Sequence, residues 1–244
     1  AEGLQILQVF HTLPKWALAP ESSSARPRLD LAKLYLFCKG IAARFHGKVQ
    51  AWEPWNEGNA SNFGGYTLDE LCAIQKAAYL GFKAGDPTLT VCWNPLGGIN
   101  IETQTQSILR NVTWPYYDVY SIHSYDWPHG YEQYWQHARE AACGKPIWVT
   151  ECDRGMQADP GSDMDDFTPE NDRRKAELVV QSYVRSLFSG SSKHFHFILG
   201  HYTEGEKRTQ FGLLRRDHTP RPGYVALAAL GRLLAGGVCL GRHE

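Results

Sequence analysis

The chain has 244 residues, 43% of them hydrophobic and 21% charged, which is typical of a globular protein. A formal net charge of −1 provides no overall field that would attract nucleic acid or an anionic membrane. No apolar run approaches the ~20 residues that a membrane-spanning helix needs. The expected partners therefore exclude nucleic acid and membrane.

Short apolar runs of strand character alternate along the chain with amphipathic helical stretches, which indicates βα units and a parallel sheet. Strands are predicted at residues 4–10, 49–55, 89–94, 117–123, 146–151 and 194–199. Helices are predicted at residues 30–45, 67–83, 103–109, 131–143, 168–188 and 222–234. No linker or low-complexity segment interrupts this series, so we predict a single domain over residues 1–244.

The spacing of the predicted strands favours a (β/α)8 barrel, an α/β fold in which strands recur every few dozen residues. Six strands are visible where a closed barrel needs eight. The first of them lies directly at the start of the chain, so we expect a barrel that lacks its first two βα units, with an N-terminal truncation as the simplest account. An open, doubly wound six-stranded sheet is the alternative, and both folds place their chemistry at the carboxyl ends of the strands.

Two of the predicted strands end in a glutamate. Glu57 closes the second strand and Glu151 closes the fifth. A charged group at the end of a buried strand is costly unless it is paired or used. Two such carboxyls above one sheet suit glycoside hydrolysis, in which one protonates the leaving oxygen and the other attacks the anomeric carbon or activates water. Alternatively, each glutamate pairs with a separate Arg or Lys at the rim.

The second strand carries a recognisable motif, Trp52-Glu53-Pro54-Trp55-Asn56-Glu57. It resembles the W-E-x-W-N-E strand of the clan A glycoside hydrolases, which are retaining (β/α)8 barrels. The resemblance implies that Glu57 is the acid/base, that Asn56 bonds the sugar 2-hydroxyl and that Glu151 is the nucleophile. The compact motif is most similar to glycoside hydrolase family 39 and its relatives, which act on β-xylosides or on chains that contain uronic acids.

Residues near other strand ends extend the resemblance. The fourth visible strand ends in Ser121-Ile122-His123-Ser124-Tyr125, similar to a strand of the clan that carries a His and a Tyr. The resemblance implies that Tyr125 donates a hydrogen bond to Glu151 and that His123 lies near the acid/base or the sugar. His123 could equally be a hydrogen-bonded rim residue. His11 resembles a strand-three His found in several clan members.

The aromatic residues have two readings, platforms for sugar rings or core packing. Trp55 and Trp93 are candidate substrate-binding residues beside Glu57. The Trp with which the clan often ends strand eight is not found here, and Tyr202 or His201 could substitute for it.

We therefore expect an enzyme, a retaining O-glycosyl hydrolase acting on an oligosaccharide or polysaccharide, with no cofactor and no metal. One rival is a non-catalytic carbohydrate-binding barrel. The other is a metal-dependent hydrolase that uses His123, His194, His196 or His201. The acidic stretch 153–166 suggests a solvated loop, with a lid or a Ca²⁺ site as alternatives.

The N-terminus starts at Ala1 without a signal-peptide pattern and does not reveal the location, for which extracellular or periplasmic is the expectation. The six cysteines mostly lie in apolar segments and are interpreted as small buried hydrophobes, with one disulfide left open.

Overall fold

The structure is a computed structural model that describes residues 3–22, 28–98, 100–206, 208–237 and 239–240. The chain divides into two compact units. Unit 1 comprises Ala1–His123 and Trp135–Trp148, and unit 2 comprises Ser124–Tyr134 and Val149–Glu244. The single domain predicted from the sequence stays a prediction.

The elements follow the predicted alternation of strands and helices. In chain order the strands are β1 Leu7–Val9, β2 Ala51–Glu53, β3 Thr90–Val91, β4 Tyr120–Ser124, β5 Ile147–Cys152, β6 Met156–Gln157, β7 Ser191–His196, β8 Thr203–Glu204 and β9 Thr209–Gln210. The α-helices are α1 Leu31–Arg44, α2 Leu68–Gly85, α3 Glu102–Arg110, α4 Tyr131–Tyr134, α5 Gln136–Ala142, α6 Pro169–Phe188 and α7 Pro222–Leu234. Short 3-10 helices lie at Lys15–Ala17, Ser61–Phe63, Trp114–Tyr116 and Pro128–Gly130.

Unit 1 contains a parallel sheet in the order β1-β2-β3. Its register pairs Leu7 with Ala51 and Ala51 with Thr90. A parallel bridge between Cys92 and Val119 continues this order from β3 towards β4. The N–H of Tyr120 donates to the carbonyl of Pro146 at 2.9 Å, which brings the start of β4 beside the start of β5.

Strands β4 and β5 begin in unit 1 and end in unit 2. In unit 2 the N–H of Phe197, just after β7, donates to the carbonyl of Cys152 at 2.9 Å, so β7 is the next neighbour of β5. Each long crossover thus leads to the adjacent strand of its sheet, which is the order of a (β/α)8 barrel. A doubly wound sheet would instead reverse its strand order at a switch point.

The ends of the helices are fixed by residues that the sequence presents in order. The Asp30 carboxylate accepts from the first N–H groups of α1, and Thr67 with Glu70 forms a capping box on α2. Thr168 caps α6, and Pro169 occupies its first position, where a missing N–H costs nothing. The last turns of α2 lie so close to α1 that a Cβ at Gly81 would meet the Tyr35 carbonyl oxygen at 2.4 Å.

Two stretches differ from the prediction. The helix predicted over 131–143 is divided into α4 and α5 at Trp135, which is buried. The stretch 153–166 is not purely a loop, because β6 pairs with β9 and β9 with β8 in a small antiparallel sheet. No proline or glycine lies at Trp135, so packing around this buried side chain decides the division of the helix.

The four cysteines of apolar segments are buried, as expected for small hydrophobes, namely Cys38, Cys72, Cys92 and Cys152. Cys143 and Cys239 are exposed, and no disulfide forms among the described residues. Within the same described ranges, no helix combines the length and the apolar composition that crossing a membrane requires.

Candidate active site

Glu57 follows β2 in a tight backbone conformation. Its φ is +45°, in the left-handed region that non-glycine residues rarely occupy. The Glu57 N–H donates to the Pro95 carbonyl at 3.0 Å, and its own carbonyl accepts from Ala60 at 2.8 Å. Backbone strain of this kind costs ~1–3 kcal/mol and clusters at functional sites. It makes Glu57 a candidate functional residue independently of its sequence motif.

The Glu57 carboxyl lies 2.8 Å from Nδ1 of His123, the last residue of unit 1 before the boundary. The His123 side chain is buried, whereas that of Glu57 keeps 20% exposure. A carboxyl and an imidazole in this arrangement can share one proton, since either atom can hold it. The contact therefore suits a group that gives up a proton and takes it back.

The loop that contains Gly97 packs against Glu57 from another direction. Asn59 accepts from the N–H of Gly97 at 2.8 Å and donates to the Gly97 carbonyl at 3.0 Å, so its amide fixes both backbone groups of this residue. A Cβ at Gly97 would lie 3.4 Å from carbon atoms of Glu57. The small residue thus lets the loop pack directly on the glutamate side chain.

Asn56 is buried beside Glu57 with 7% exposure, and its side-chain oxygen has no hydrogen-bond partner. A buried amide oxygen without a partner costs roughly 1–3 kcal/mol. A hydroxyl group of a bound ligand would satisfy it, which is compatible with the expectation that Asn56 bonds a sugar hydroxyl.

The structure differs from the expectation for Trp55 and Trp93, whose exposures are 2% and 0%. Trp55 donates to the Phe63 carbonyl at 2.8 Å and packs edge-on against Tyr66. Trp93 stacks on Tyr120 with 5.8 Å between ring centroids. Both rings are core residues with no free face for a sugar, because neighbouring aromatic rings cover them.

His11 is exposed in unit 1, and its ring lies edge-on to Phe63 at 5.3 Å. No described contact joins it to Glu57, so its role as a substrate-binding residue stays a prediction.

In unit 2, Glu151 lies near the end of β5 and accepts a hydrogen bond from the phenol of Tyr125 at 2.6 Å. The Tyr125 ring is held edge-on by Phe197 and Phe211, each 6.0 Å away between centroids. Its carbonyl accepts from the guanidinium of Arg154 at 2.6 Å. The phenol can only donate to an ionised carboxylate, so it favours the charged form of Glu151.

Tyr202 belongs to the same unit. Its phenol donates to Glu204 at 2.8 Å, and its ring lies edge-on to Phe197 at 5.4 Å. The hydrogen bond to Glu204 raises the pKa of Tyr202, burial adds to this, and the charge of Glu151 contributes as well. With 37% exposure, Tyr202 is an accessible aromatic face near Glu151.

The other histidines of the metal-dependent alternative have separate environments. His194 packs on the Tyr183 ring at 4.2 Å, and His196 lies 3.9 Å from Asp153. Burial lowers the pKa of both His194 and His196 to about 3. His201 contacts the Gln210 amide. Among the described residues, none of these three histidines joins a cluster of three side chains that could hold a metal ion.

The carboxylates of the acidic stretch pair with arginines of unit 2. Asp165 contacts both Arg208 and Arg216, and Asp166 contacts Arg221 at 2.8 Å. These guanidiniums already supply the positive charge that a Ca²⁺ ion would otherwise bring to the two carboxylates. The pairing favours a structural loop at this end of the stretch.

Asp153 and Lys175 form a buried ion pair two residues beyond Glu151. Burial raises the pKa of Asp153 to about 6 and lowers the pKa of Lys175, while the charge of each partner acts against these shifts. Lys175 also donates to the Arg154 carbonyl at 3.2 Å. The pair thus anchors the segment that follows the glutamate.

Sequence reasoning missed the contributions of Asn59 and Arg154. Asn59 carries a glycosylation-type pattern, yet its amide is committed to Gly97. Arg154 lies three residues after Glu151, and proximity to a strand end is the signal that could have identified it.

No protein-family model matches the chain, and no curated protein matches it. Among solved structures, a family 39 glycoside hydrolase from Bacteroides cellulosilyticus WH2 matches with a TM-score of 0.56 and 20% identity, over 86% of this chain and 46% of that one. A glucosidase from Croceicoccus marinus matches with a TM-score of 0.70 and 17% identity, over 96% and 51% respectively. A family 10 glycoside hydrolase from Paenibacillus barcinonensis matches with a TM-score of 0.65 and 16% identity, over 98% and 79%.

At these identities the likeness establishes the fold. The chain has the (β/α)8 fold of the clan A glycoside hydrolases and resembles family 39 among others, so the predicted fold class is confirmed. The chain spans about half the length of the first two of these structures. Of the eight barrel strands, six are present among the described residues.

Proposed function

We propose that this protein is a retaining glycoside hydrolase in which Glu57 is the acid/base and Glu151 the nucleophile. The observation that carries the proposal is the chemical difference between the partners of the two glutamates. Nδ1 of His123 can donate to or accept from the Glu57 carboxyl, whereas the Tyr125 phenol donates to Glu151. A proton that can move and a carboxylate that stays ionised are the two requirements of the mechanism.

In the first step, protonated Glu57 gives its proton to the glycosidic oxygen as the bond from the anomeric carbon to that oxygen breaks. An oxygen of the Glu151 carboxylate attacks the anomeric carbon from the opposite face. The products are a glycosyl-enzyme ester and the leaving alcohol. Because Tyr125 stabilises the ionised nucleophile, it also fixes the orientation of the attacking oxygen.

In the second step, Glu57 is a carboxylate and removes a proton from water. The hydroxide oxygen attacks the anomeric carbon and releases Glu151 as a carboxylate, so the anomeric configuration is retained overall. His123 supports both steps because its Nδ1 can accept from a protonated Glu57 or donate to the ionised form. Asn56 is the proposed partner of a sugar hydroxyl.

The proposed substrate is an oligosaccharide or polysaccharide. The fold shared with glycoside hydrolases supports this class. The exposed ring of Tyr202 near Glu151 is the proposed platform for a sugar, a role in which Trp55 and Trp93 cannot serve because they are buried.

The test is a panel of aryl glycosides with the product anomer followed by NMR. We expect hydrolysis with retention and no turnover by Glu151→Gln, together with carboxyl groups ~5–5.5 Å apart in a crystal structure. Inversion, or a separation of ~6.5–9.5 Å, would overturn the mechanism. Oligosaccharide binding without hydrolysis would replace the enzyme by a carbohydrate-binding barrel, and full activity of Glu151→Gln would exclude the assigned nucleophile.

A further inference from the structure

Unit 2 contains a cavity of about 260 Å³ that the mechanism does not use. Its lining includes Trp127, Arg154, Gln157, Asn171 and Arg174. The volume is slightly below the ~300–1,000 Å³ of typical small-molecule pockets, so it suits one sugar unit or one charged substituent.

The cavity has a cationic wall built on one indole ring. The guanidinium carbons of Arg154 and Arg174 lie 4.6 Å and 5.5 Å from the centroid of the Trp127 ring. Trp127 is itself fixed, because it packs against the buried cluster of Met156, Phe167 and Leu178. Two guanidinium groups therefore lie against the same Trp127 ring.

These charges are incompletely neutralised. Among the described residues, no carboxylate lines the cavity and Arg174 takes part in no salt bridge. The Arg154 charge acts on Asp126, but burial still raises the pKa of that carboxyl, and Asp126 does not line the cavity. The Nε of Arg154 is buried without a hydrogen-bond partner, which is unfavourable until an acceptor arrives.

The cavity is attached to the segment that carries Glu151. Arg154 follows Glu151 by three residues, and one of its N–H groups bonds the carbonyl of Tyr125, whose phenol holds Glu151. Anything bound to the Arg154 guanidinium is thus within unit 2 and close in the chain to the proposed nucleophile.

We propose that this cavity, the Arg154–Arg174 site, binds an anionic group of the substrate glycan, a uronic-acid carboxylate or a sulfate ester. Guanidinium groups bind planar or tetrahedral oxyanions through paired, charge-assisted hydrogen bonds. An anion between the two arginines also removes their mutual repulsion. The inference rests on the proposed function, since it names the class of glycan on which that site acts.

The experiment measures binding by calorimetry on the full chain carrying Glu151→Gln, so that no ligand is consumed. The ligands are oligosaccharides of glucuronic and of galacturonic acid, the same oligosaccharides with their carboxyls reduced to alcohols, and the reduced forms after sulfation. Arg174→Gln is the test variant because this side chain is exposed and makes no described bond to the Glu151 segment. Arg173→Gln is the matched control, an exposed arginine of the same helix outside the cavity.

We expect the acidic oligosaccharides to bind at least about tenfold more tightly than the reduced ones, and Arg174→Gln to remove about tenfold of this preference. Arg173→Gln should change it less than about twofold. If the sulfated oligosaccharides also bind in a way that depends on Arg174, the site accepts a sulfate ester. If only the uronic-acid oligosaccharides bind in this way, the site is specific for the uronate carboxylate. Equal binding of acidic and reduced forms, or equal effects of the two variants, would overturn the proposal.

The two proposals fail separately. Arg174-dependent binding without hydrolysis of any glycan would support the anion site and contradict the proposed enzyme. Retaining hydrolysis of aryl glycosides, together with equal binding of acidic and reduced oligosaccharides, would support the enzyme and contradict the anion site.

Discussion

The two glutamates differ in what surrounds them. Glu57 in unit 1 has a backbone of positive φ and lies beside a histidine, in a unit whose core contains stacked rings such as Trp93 on Tyr120. Glu151 in unit 2 lies beside a phenol, on a segment anchored by the buried pair of Asp153 and Lys175. The two glutamates differ in their hydrogen-bond partners, His123 and Tyr125, which lie two residues apart in the chain.

This comparison shows how two glutamates can be suited to opposite roles. A histidine partner allows the proton to move, whereas a phenol partner at neutral pH only donates. Unit 1 has a core rich in aromatic rings, and unit 2 has the buried pair of Asp153 and Lys175 two residues beyond its glutamate. Three substitutions separate these effects.

The largest effect is expected for Glu57→Ala, which removes the movable proton. General acid–base catalysis contributes ~10²–10⁴-fold, so kcat/KM on a glycoside with a poor leaving group should fall by about that factor. A dinitrophenyl glycoside needs no protonation, and added azide replaces the activated water, so both should restore rate. The measurement is steady-state kinetics with and without azide.

Glu102→Ala, at an exposed glutamate of unit 1, is the control and should behave as the parent. If azide and the activated leaving group leave the Glu57→Ala rate unchanged, the acid/base role belongs to another residue.

A smaller loss is expected for Tyr125→Phe, which deletes the donor to Glu151 and retains the ring between Phe197 and Phe211. A hydrogen bond to a charged group is worth ~1.5–3 kcal/mol, so kcat should fall about 10- to 100-fold. Tyr224→Phe is the control, since this exposed tyrosine of α7 belongs to the same unit and has no role in the proposed site. Equal losses in the two variants would show that the contact to Glu151 is not special.

The smallest effect concerns the stability of unit 2. Burial lowers the pKa of His194 to about 3, below its unfolded value of about 6.5. Its contribution to stability is therefore fully present above about pH 6.5 and is lost as the pH falls towards 3, by up to ~1.4 kcal/mol per pH unit. His194→Phe should flatten this part of the curve of unfolding free energy against pH.

Because burial raises the pKa of Asp153 from 3.8 to about 6, this residue makes the free energy of unfolding fall as the pH rises through that range, opposite to His194. The test is therefore the difference in slope between the variant and the parent protein, and not the slope of either one. Urea unfolding at pH 7, 5.5 and 4.5 measures it. A slope identical in both proteins would mean that His194 is not buried in its neutral form.

Much of the fold was predictable because its signals are local. The alternation of strands and helices, the caps at Asp30, Thr67 and Thr168, and the positions of both glutamates follow from sequence patterns. The division of a helix at Trp135 and the small sheet of β6, β8 and β9 were not predictable, because packing rather than propensity sets them.

The candidate site shows the same division. Nδ1 of His123 lies 2.8 Å from the Glu57 carboxyl and the Tyr125 phenol donates to Glu151, while the roles that the family resemblance implies for these residues stay predictions. For Trp55 and Trp93, sequence reasoning could not choose between a sugar platform and a core, because an aromatic side chain suits both. In the structure Trp55 is 2% exposed and Trp93 is 0% exposed, so both belong to the core.

The sequence by itself determined the succession of βα units and the residue types at the strand ends, since hydrophobic periodicity and capping are encoded within a few neighbouring residues. Only the tertiary structure decided which partner each carboxyl receives, which aromatic rings are covered and that Arg154 and Arg174 meet over Trp127. Those contacts join residues that are far apart or weakly patterned in the chain, and distance in space is not encoded in any local pattern.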